Sequence, residues 1–219
     1  ELLTQSVPVR AFVRDKTRAK ASLGDDVELA EGDFEDRASL RRAMEGARAV
    51  FVTSANGPHE VAHETAIIDS AVEAGVPRVV KLSTFMAEAG SPLPGMDWHG
   101  RIEDHLRQSG APGVVLRSTY FMSNLFASAD EIKRTGQLLA PAGGRGVAMI
   151  DPRDVAACAA ALLTREGDDG ETYLITGREP VTFRQIAAEL SNATGRPIEF
   201  IDVPEEAMKQ GLARAGLPD

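Results

Sequence analysis

Apolar and polar residues alternate through VPVRAFVRD at residues 7–15: Val7, Val9, Ala11 and Val13 share one face, and Phe12 adds bulk on the other. A period of two predicts a buried strand over Val7–Asp15, with Pro8 at its start, where a missing N–H is tolerated. Glu1-Leu2-Leu3 reads as the last turn of a helix. Asp26–Ala30 reads as a short strand leading into Gly32-Asp33-Phe34, and Asp36–Glu45 as a helix with Leu40 and Met44 at i, i+4. AVFVT at 49–53 predicts a buried strand, followed by a loop at Ser54–Pro58. Val61–Ala74 predicts a helix with Ile67, Ile68, Ala71 and Val72 inward, closed by Gly75. RVVKLS at 78–83 is the next strand, Ser91–Gly95 a loop, Trp98–Ser109 a helix ending at Gly110, and GVVL at 113–116 again a strand.

Strands and helices thus alternate from residue 7 to about 117, the signature of an α/β fold with a doubly wound parallel sheet. Residues 120–135 read as helical, and 136–150 as an irregular Gly/Pro-rich stretch. Pro152–Thr164 is a helix and Glu171–Thr176 a strand. Thr182–Asn192 is a helix capped by Thr182 and followed by Gly195, Ile198–Val203 a strand and Pro204–Ala215 a helix. The expected organisation is a core at 1–118 and a small second lobe from 119–150 and 177–219. Residues 151–176 return to the core sheet.

Composition narrows the function classes. The chain has 219 residues, 43% apolar and 26% charged, and a net charge of −9 from 24 basic and 33 acidic side chains. Such an acidic chain is a poor binder of nucleic acid. No apolar run approaches the roughly 20 residues that span a bilayer, and no secretory leader is visible. The single cysteine, Cys158, allows no internal disulfide and points to a cytoplasmic protein.

The strand at 7–15 ends in Arg14-Asp15-Lys16, with Arg18 and Lys20 beyond. In dinucleotide-binding sheets the end of the second strand meets the adenine ribose. An acidic residue there suits a free 2′-hydroxyl and an arginine a 2′-phosphate. Arg14, helped by Lys20, is therefore the candidate ligand for the 2′-phosphate of NADP(H); the alternative is a set of ordinary solvated charges. A competing motif is His59-Glu60-Val61-Ala62-His63, the H-E-x-x-H pattern of zinc peptidases. Ala66 and Asp69 stand where an extended version of that motif needs Gly and His, and the other reading is a solvated first helical turn with Glu60 and Glu64 near the helix N-terminus.

The order of the pieces resembles the NmrA-like group of atypical short-chain dehydrogenases, and within it bacterial NADPH-dependent quinone oxidoreductases and triphenylmethane reductases. The resemblance is carried by VRAFVRD at 9–15, GDFED at 32–36, LRRAMEGARAVFVTS at 40–54 and AVEAGVPRVVKLST at 71–84. It continues through HGRIEDHLRQSG at 99–110, LRSTYFMSN at 116–124, DPRDVAACAAALLT at 151–164 and ETYLITGREPVTFRQIAAELS at 171–191. Members of the group open with a strand and a glycine-rich turn that lays the pyrophosphate on a helix N-terminus. The sequence lacks both, and Gly143, Gly144 and Gly146 do not replace the turn, so the chain is expected to be a fragment.

The resemblance implies where the chemistry lies. Asp33 and Phe34 fall at the adenine-contacting position. Thr53, Ser54, Ser83 and Thr84 end strands at the sheet edge that binds ligands in open α/β sheets. Ser118 and Tyr120 fall near the nicotinamide end, and Trp98, Phe121 and Met122 offer an apolar wall for a flat acceptor. Short-chain dehydrogenases use a tyrosine with a lysine four residues on. Here Tyr120 and Tyr173 are followed by Asn124 and Gly177, so alcohol–ketone chemistry by that pair is not expected. His99 falls near the lysine-equivalent position, with Glu103 one turn on, and is the candidate catalytic residue. A helix-terminal histidine without a chemical role is the alternative.

The expected function is an NAD(P)H-binding oxidoreductase that transfers hydride to quinone-like or dye-like acceptors held between the lobes. The alternatives are a non-catalytic NADP(H)-binding redox sensor and, more remotely, the zinc peptidase. The expected partner is a small-molecule acceptor, with a homodimer left open and no nucleic acid or membrane.

Overall fold

The computed structural model describes residues 1–204, 206 and 207. The expected helix at Pro204–Ala215 lies largely outside the described residues. The chain divides into two compact units, Glu1–Ser118 with Arg153–Ile175, and Thr119–Pro152 with the chain from Thr176 onward.

The first unit begins with a single 3-10 turn at Leu3–Gln5. Then come β1 (Arg10–Val13), α1 (Lys16–Leu23), β2 (Glu28–Glu31), α2 (Arg37–Met44), β3 (Val50–Val52), α3 (Glu60–Glu73), β4 (Val79–Thr84), α4 (Pro94–Gln108) and β5 (Gly113–Ser118). In the second unit a 3-10 segment at Met122–Ser128 precedes α5 (Ala129–Thr135), β6 (Gln137–Ala140) and β7 (Gly146–Val147). The chain returns to the first unit with α6 (Pro152–Thr164) and β8 (Thr172–Ile175), and goes back to the second with β9 (Val181–Thr182), α7 (Phe183–Thr194) and β10 (Glu199–Asp202).

All strand pairs of the first unit are parallel. One sheet has the order β3-β4-β5-β8, and β1 pairs with β2 in a separate two-stranded ladder. The expected α/β fold with parallel strands is present. The opening strand is shorter than its alternation predicts, and none of its residues is fully buried. Among the described residues β1 has a partner along one edge only, so its side chains are covered less than those of β4.

Helix caps fix several elements. Asp15 opens α1 by accepting a hydrogen bond from the Arg18 backbone N–H. That helix carries no apolar stripe and no buried residue, so periodicity gave no sign of it. Asp36 caps α2 through the Ala38 N–H, with Leu40 and Met44 buried as the i, i+4 spacing predicts. Pro94 begins α4 four residues before the expected start, at a position where its missing N–H costs nothing. The Thr182–Gln185 capping box opens α7.

The core of the first unit joins Leu40, Val52, Ile68, Ala71, Val79, Ile102 and Leu106, with Phe12 and Phe34 packed on its margin. Full burial of an Ile68 or Ile102 is worth roughly 1.5–3 kcal/mol each. Val72, expected inward, is 41% exposed, because the stripe of α3 facing the sheet is completed by Glu60, Glu64, Ile67, Ile68 and Ala71 instead. The second unit has its own core of Leu138, Met149, Ile186 and Phe200. The stretch at 136–150, expected to be irregular, contains β6, which pairs with β10, and β7, which pairs with β9. No described helix is long and apolar enough to cross a membrane.

Candidate active site

The central strand β4 is buried on both faces, and such strands usually read as continuous apolar runs. Lys81 breaks this run, and it has no exposed surface at all. A buried ammonium demands partners for its three protons. Lys81 Nζ is hydrogen-bonded to His99 Nδ1 at 3.0 Å and to the Leu82 carbonyl, and forms an ion pair with Glu64 Oε2 at 2.6 Å. Glu64, one per cent exposed on α3, also accepts from Ser54 Oγ at 3.1 Å. One turn earlier on the same helix face, Glu60 is equally buried, with Oε1 3.4 Å from His99 Nε2.

The cluster therefore joins the end of β3, the first two turns of α3, the middle of β4 and the start of α4. Its protonation follows from the geometry. Lys81 donates to Nδ1, so His99 is the tautomer with its proton on Nε2. Burial, and then the Lys81 charge, depress the His99 pKa to about 4, against a smaller opposing influence of Glu103. Burial, and then Glu64, push the Glu60 carboxyl above its ordinary value, with Lys81 pulling the other way. The imidazole is neutral at physiological pH, and of the four side chains His99 is the most exposed, at 14%.

A second buried cluster braces the first. Glu103, with no exposed surface, accepts from Ser83 Oγ at 2.5 Å, Arg107 at 2.8 Å, and Arg117 Nε and Nη2 at 2.9 and 2.7 Å. Burial raises the Glu103 pKa, but the Arg117 and Ser83 hydrogen bonds outweigh it and hold the carboxyl below its ordinary value. Arg117 also donates to the Ala87 carbonyl at 2.8 Å, tying β5 to the loop after β4. That loop rests on α4 at Gly100, where a Cβ would stand 2.2 Å from the Ala89 nitrogen. Only glycine admits this approach, which places the residue after His99 directly beneath the loop.

The expected site residues separate accordingly. His99 lies in the first cluster. Ser54 and Ser83 lie at the expected sheet edge, but their hydroxyls are engaged by Glu64 and Glu103. Thr53 and Thr84 have no hydrogen-bond partner for their hydroxyls among the described residues and stay available there. Ser118 is buried against the Ser83 carbonyl at 3.4 Å. Tyr120 belongs to the second unit. There it lines a pocket of about 520 Å³ with Leu125, Leu139, Phe183, Asn124 and Arg145, and burial raises its pKa.

At the end of β1, Arg14 is exposed and has no ionic partner among the described residues, while Asp15 is occupied as a helix cap. Lys20 pairs with Asp25 at 2.8 Å. This is an exposed pair of the kind worth about 0–1 kcal/mol. After β2, Asp33 is held through its backbone N–H by Ser39 Oγ at 3.2 Å, and the Phe34 ring packs 5.5 Å from Phe12 and 5.3 Å from His63. The end of β1 thus presents an exposed guanidinium, and the loop after β2 a half-exposed aromatic ring.

The H-E-x-x-H motif is split by the helix. Glu60 faces Lys81 and His99, whereas His59 and His63 stack on each other at 5.7 Å beside Glu35. The expectation of a solvated first turn is overturned, since Glu60 and Glu64 are both buried. The peptidase reading fails as well, because the glutamate that must activate a metal-bound water points away from the histidine pair, toward His99. Sequence reasoning missed Lys81, Glu64 and Arg117 as site residues and weighed Glu60 only as part of the H-E-x-x-H motif. The available signal was a lysine inside the buried run RVVKLS.

The NmrA-like family model matches residues 1–219. The NAD(P)H azoreductase of Xenophilus azovorans is 32% identical over 213 residues, 97% of this chain and 74% of the relative. The (4-alkanoyl-5-oxo-2,5-dihydrofuran-3-yl)methyl phosphate reductase of Streptomyces griseus is 37% identical over 211 residues, 96% of this chain and 74% of the relative. Among solved structures, the NADPH complex of the Escherichia coli NADPH-dependent quinone oxidoreductase superposes with a TM-score of 0.87 at 28% identity. The match covers 99% of this chain and 77% of that one.

Proposed function

We propose that this chain, which belongs to the NmrA-like family, is an NADPH-dependent reductase of quinone-like or dye-like acceptors with its proton supply at Lys81 and His99. The relatives' NAD(P)H-linked activities support the cofactor and the acceptor class. The observation that carries the assignment of residues is the neutral His99, held between Lys81 and Glu60.

Arg14 would hold the 2′-phosphate, Phe34 would cover the adenine, and Thr53 and Thr84 would bind at the strand ends. When bound, NADPH supplies the hydride. The protein's part is to stabilise and then neutralise the negative charge that arises on the acceptor. A preformed donor in a water-poor site does this without reorganising. His99 Nε2–H is that donor. Its contact to Glu60 at 3.4 Å is not a hydrogen bond, which leaves the Nε2 proton uncommitted. If the Nε2 proton passes on, Nδ1 takes one from Lys81 Nζ, 3.0 Å away, and the imidazole stays neutral throughout. Quinones need only this modest help, since their reduced form is a phenolate. The lone thiol, Cys158, suits work in the reducing cytoplasm.

NADPH oxidation with a panel of quinones and azo dyes tests the reading. Wild type turns over at least one acceptor, and His99→Gln lowers kcat by roughly 10²-fold while NADPH affinity stays within about twofold. NADPH binding without turnover of any acceptor would favour the sensor. Full activity in His99→Gln would remove the imidazole from the reaction.

A further inference from the structure

We propose that Glu35, His59 and His63 form a three-ligand site for a divalent transition ion of the zinc class, joining the loop after β2 to the first turn of α3. A carboxylate oxygen of Glu35 and one ring nitrogen from each histidine all lie within 4.8 Å of one another. Tetrahedral zinc, with bonds of about 2.0–2.2 Å, holds its ligand atoms about 3.3 Å apart. Rotation of side chains alone closes the difference. Glu35 and His59 are exposed, and none of the three side chains has a hydrogen-bond or ion-pair partner among the described residues.

His63 is the fixed member, packed against Phe34 at 5.3 Å, which in turn packs on Phe12. His59, one turn away, stacks on it with the rings 19° from parallel. Histidines at i and i+4 present their nitrogens to one point beyond the helix surface. Two imidazoles and one carboxylate favour zinc, nickel or copper over magnesium or calcium, which take mainly oxygen ligands. A fourth position is left to water. The site is structural, because Glu60 and Glu64, the carboxylates beside the two histidines in sequence, point into the Lys81 cluster, and Asp36, beside Glu35, caps α2. An ion here would clamp Glu35, and with it the Asp33 turn whose carboxylate accepts from the Glu35 N–H at 3.0 Å, onto α3.

The test is calorimetric titration of chelator-stripped protein with zinc chloride, with magnesium chloride as control. Wild type should bind one zinc per chain at this site and no magnesium. His59→Ala and Glu35→Gln should each weaken zinc at least about tenfold, in line with the losses seen when even supporting residues of metal sites are changed. His105→Gln, which removes a histidine paired with Asp69 outside the cluster, should bind zinc as wild type does. Saturating zinc should raise the melting temperature of wild type and leave that of His59→Ala/His63→Ala unchanged. If the buried side of His63 makes that double variant unfold, His59→Ala and Glu35→Gln, both at exposed positions, decide the matter. Absence of stoichiometric zinc binding by wild type, or undiminished affinity in both single variants, overturns the proposal.

Discussion

His99→Gln should flatten part of the acid limb of the protein's stability. A histidine in the unfolded chain takes up its proton near pH 6.5, and His99 in the folded protein only at about pH 4. Between these values the unfolded state binds the extra proton, so stability falls as pH is lowered through the window. The contribution is present above pH 6.5 and lost by pH 4. At about 1.4 kcal/mol per pH unit, the loss amounts to about 3 kcal/mol. Glu60 works in the opposite sense. Its raised pKa favours the folded state at low pH, and that advantage disappears as pH rises. Glu60 is present in both proteins, so the part of its contribution that does not depend on His99 cancels in the difference between wild type and variant. The glutamine carbonyl can still accept from Lys81, which leaves a pH-independent offset. Urea denaturation of both proteins at half-unit steps from pH 4 to 8 gives this difference directly. It should shift by about 3 kcal/mol in favour of the variant on going from pH 7 to pH 4. A difference that stays constant across the range would refute a neutral, buried imidazole.

Arg14→Ala should weaken NADPH by one to two orders of magnitude, because a charge-assisted hydrogen bond to phosphate is worth roughly 1.5–3 kcal/mol, and should leave NADH within about twofold. Equal weakening of both cofactors in a fluorescence titration would make Arg14 merely structural. Arg117→Met should destabilise the protein by about 3–5 kcal/mol, since it strips two of the four hydrogen bonds from a fully buried Glu103. A thermal melt that moves by only a degree or two would show that Arg107 and Ser83 suffice to hold the carboxylate.

The fold was legible wherever burial follows a period. Leu40 and Met44, or Ile67, Ile68 and Ala71, announce helix faces because their tertiary neighbours cover a regular stripe. α1 escaped because it is held by a cap at Asp15 and a stop at Gly24 rather than by an apolar face. β6 and β7 escaped because short strands among glycines and prolines show too few alternations to count. At the site, His99 could be placed by resemblance, but Ser54 and Ser83 could not be told from Thr53 and Thr84. All four end strands, and only the structure shows which hydroxyls are already engaged by Glu64 and Glu103.

The first turn of α3 shows why the deeper chemistry was hidden. Read as a string, His59-Glu60-Val61-Ala62-His63-Glu64 looks like one site. Each residue advances about 100° around the helix, so the i, i+4 histidines share one stripe and the i, i+4 glutamates share the next. The glutamate stripe faces the sheet, and there a carboxylate pair is tolerable only because Lys81 rises from β4 to meet it. Lys81 is in turn tolerable only because the Glu64 carboxylate pairs with its charge while His99 and the Leu82 carbonyl accept hydrogen bonds from it. The cluster thus explains a lysine in the middle of a buried strand, two glutamates on the inward side of a helix, and a histidine kept neutral. A core built for stability alone would place apolar side chains at all four positions, since replacing buried ion pairs with well-packed hydrophobes is often neutral or stabilising by roughly 1–4 kcal/mol. Lys81→Met combined with Glu64→Leu should therefore preserve or raise the melting temperature while lowering turnover at least about tenfold, and a double variant that keeps full turnover would show the cluster to be packing only.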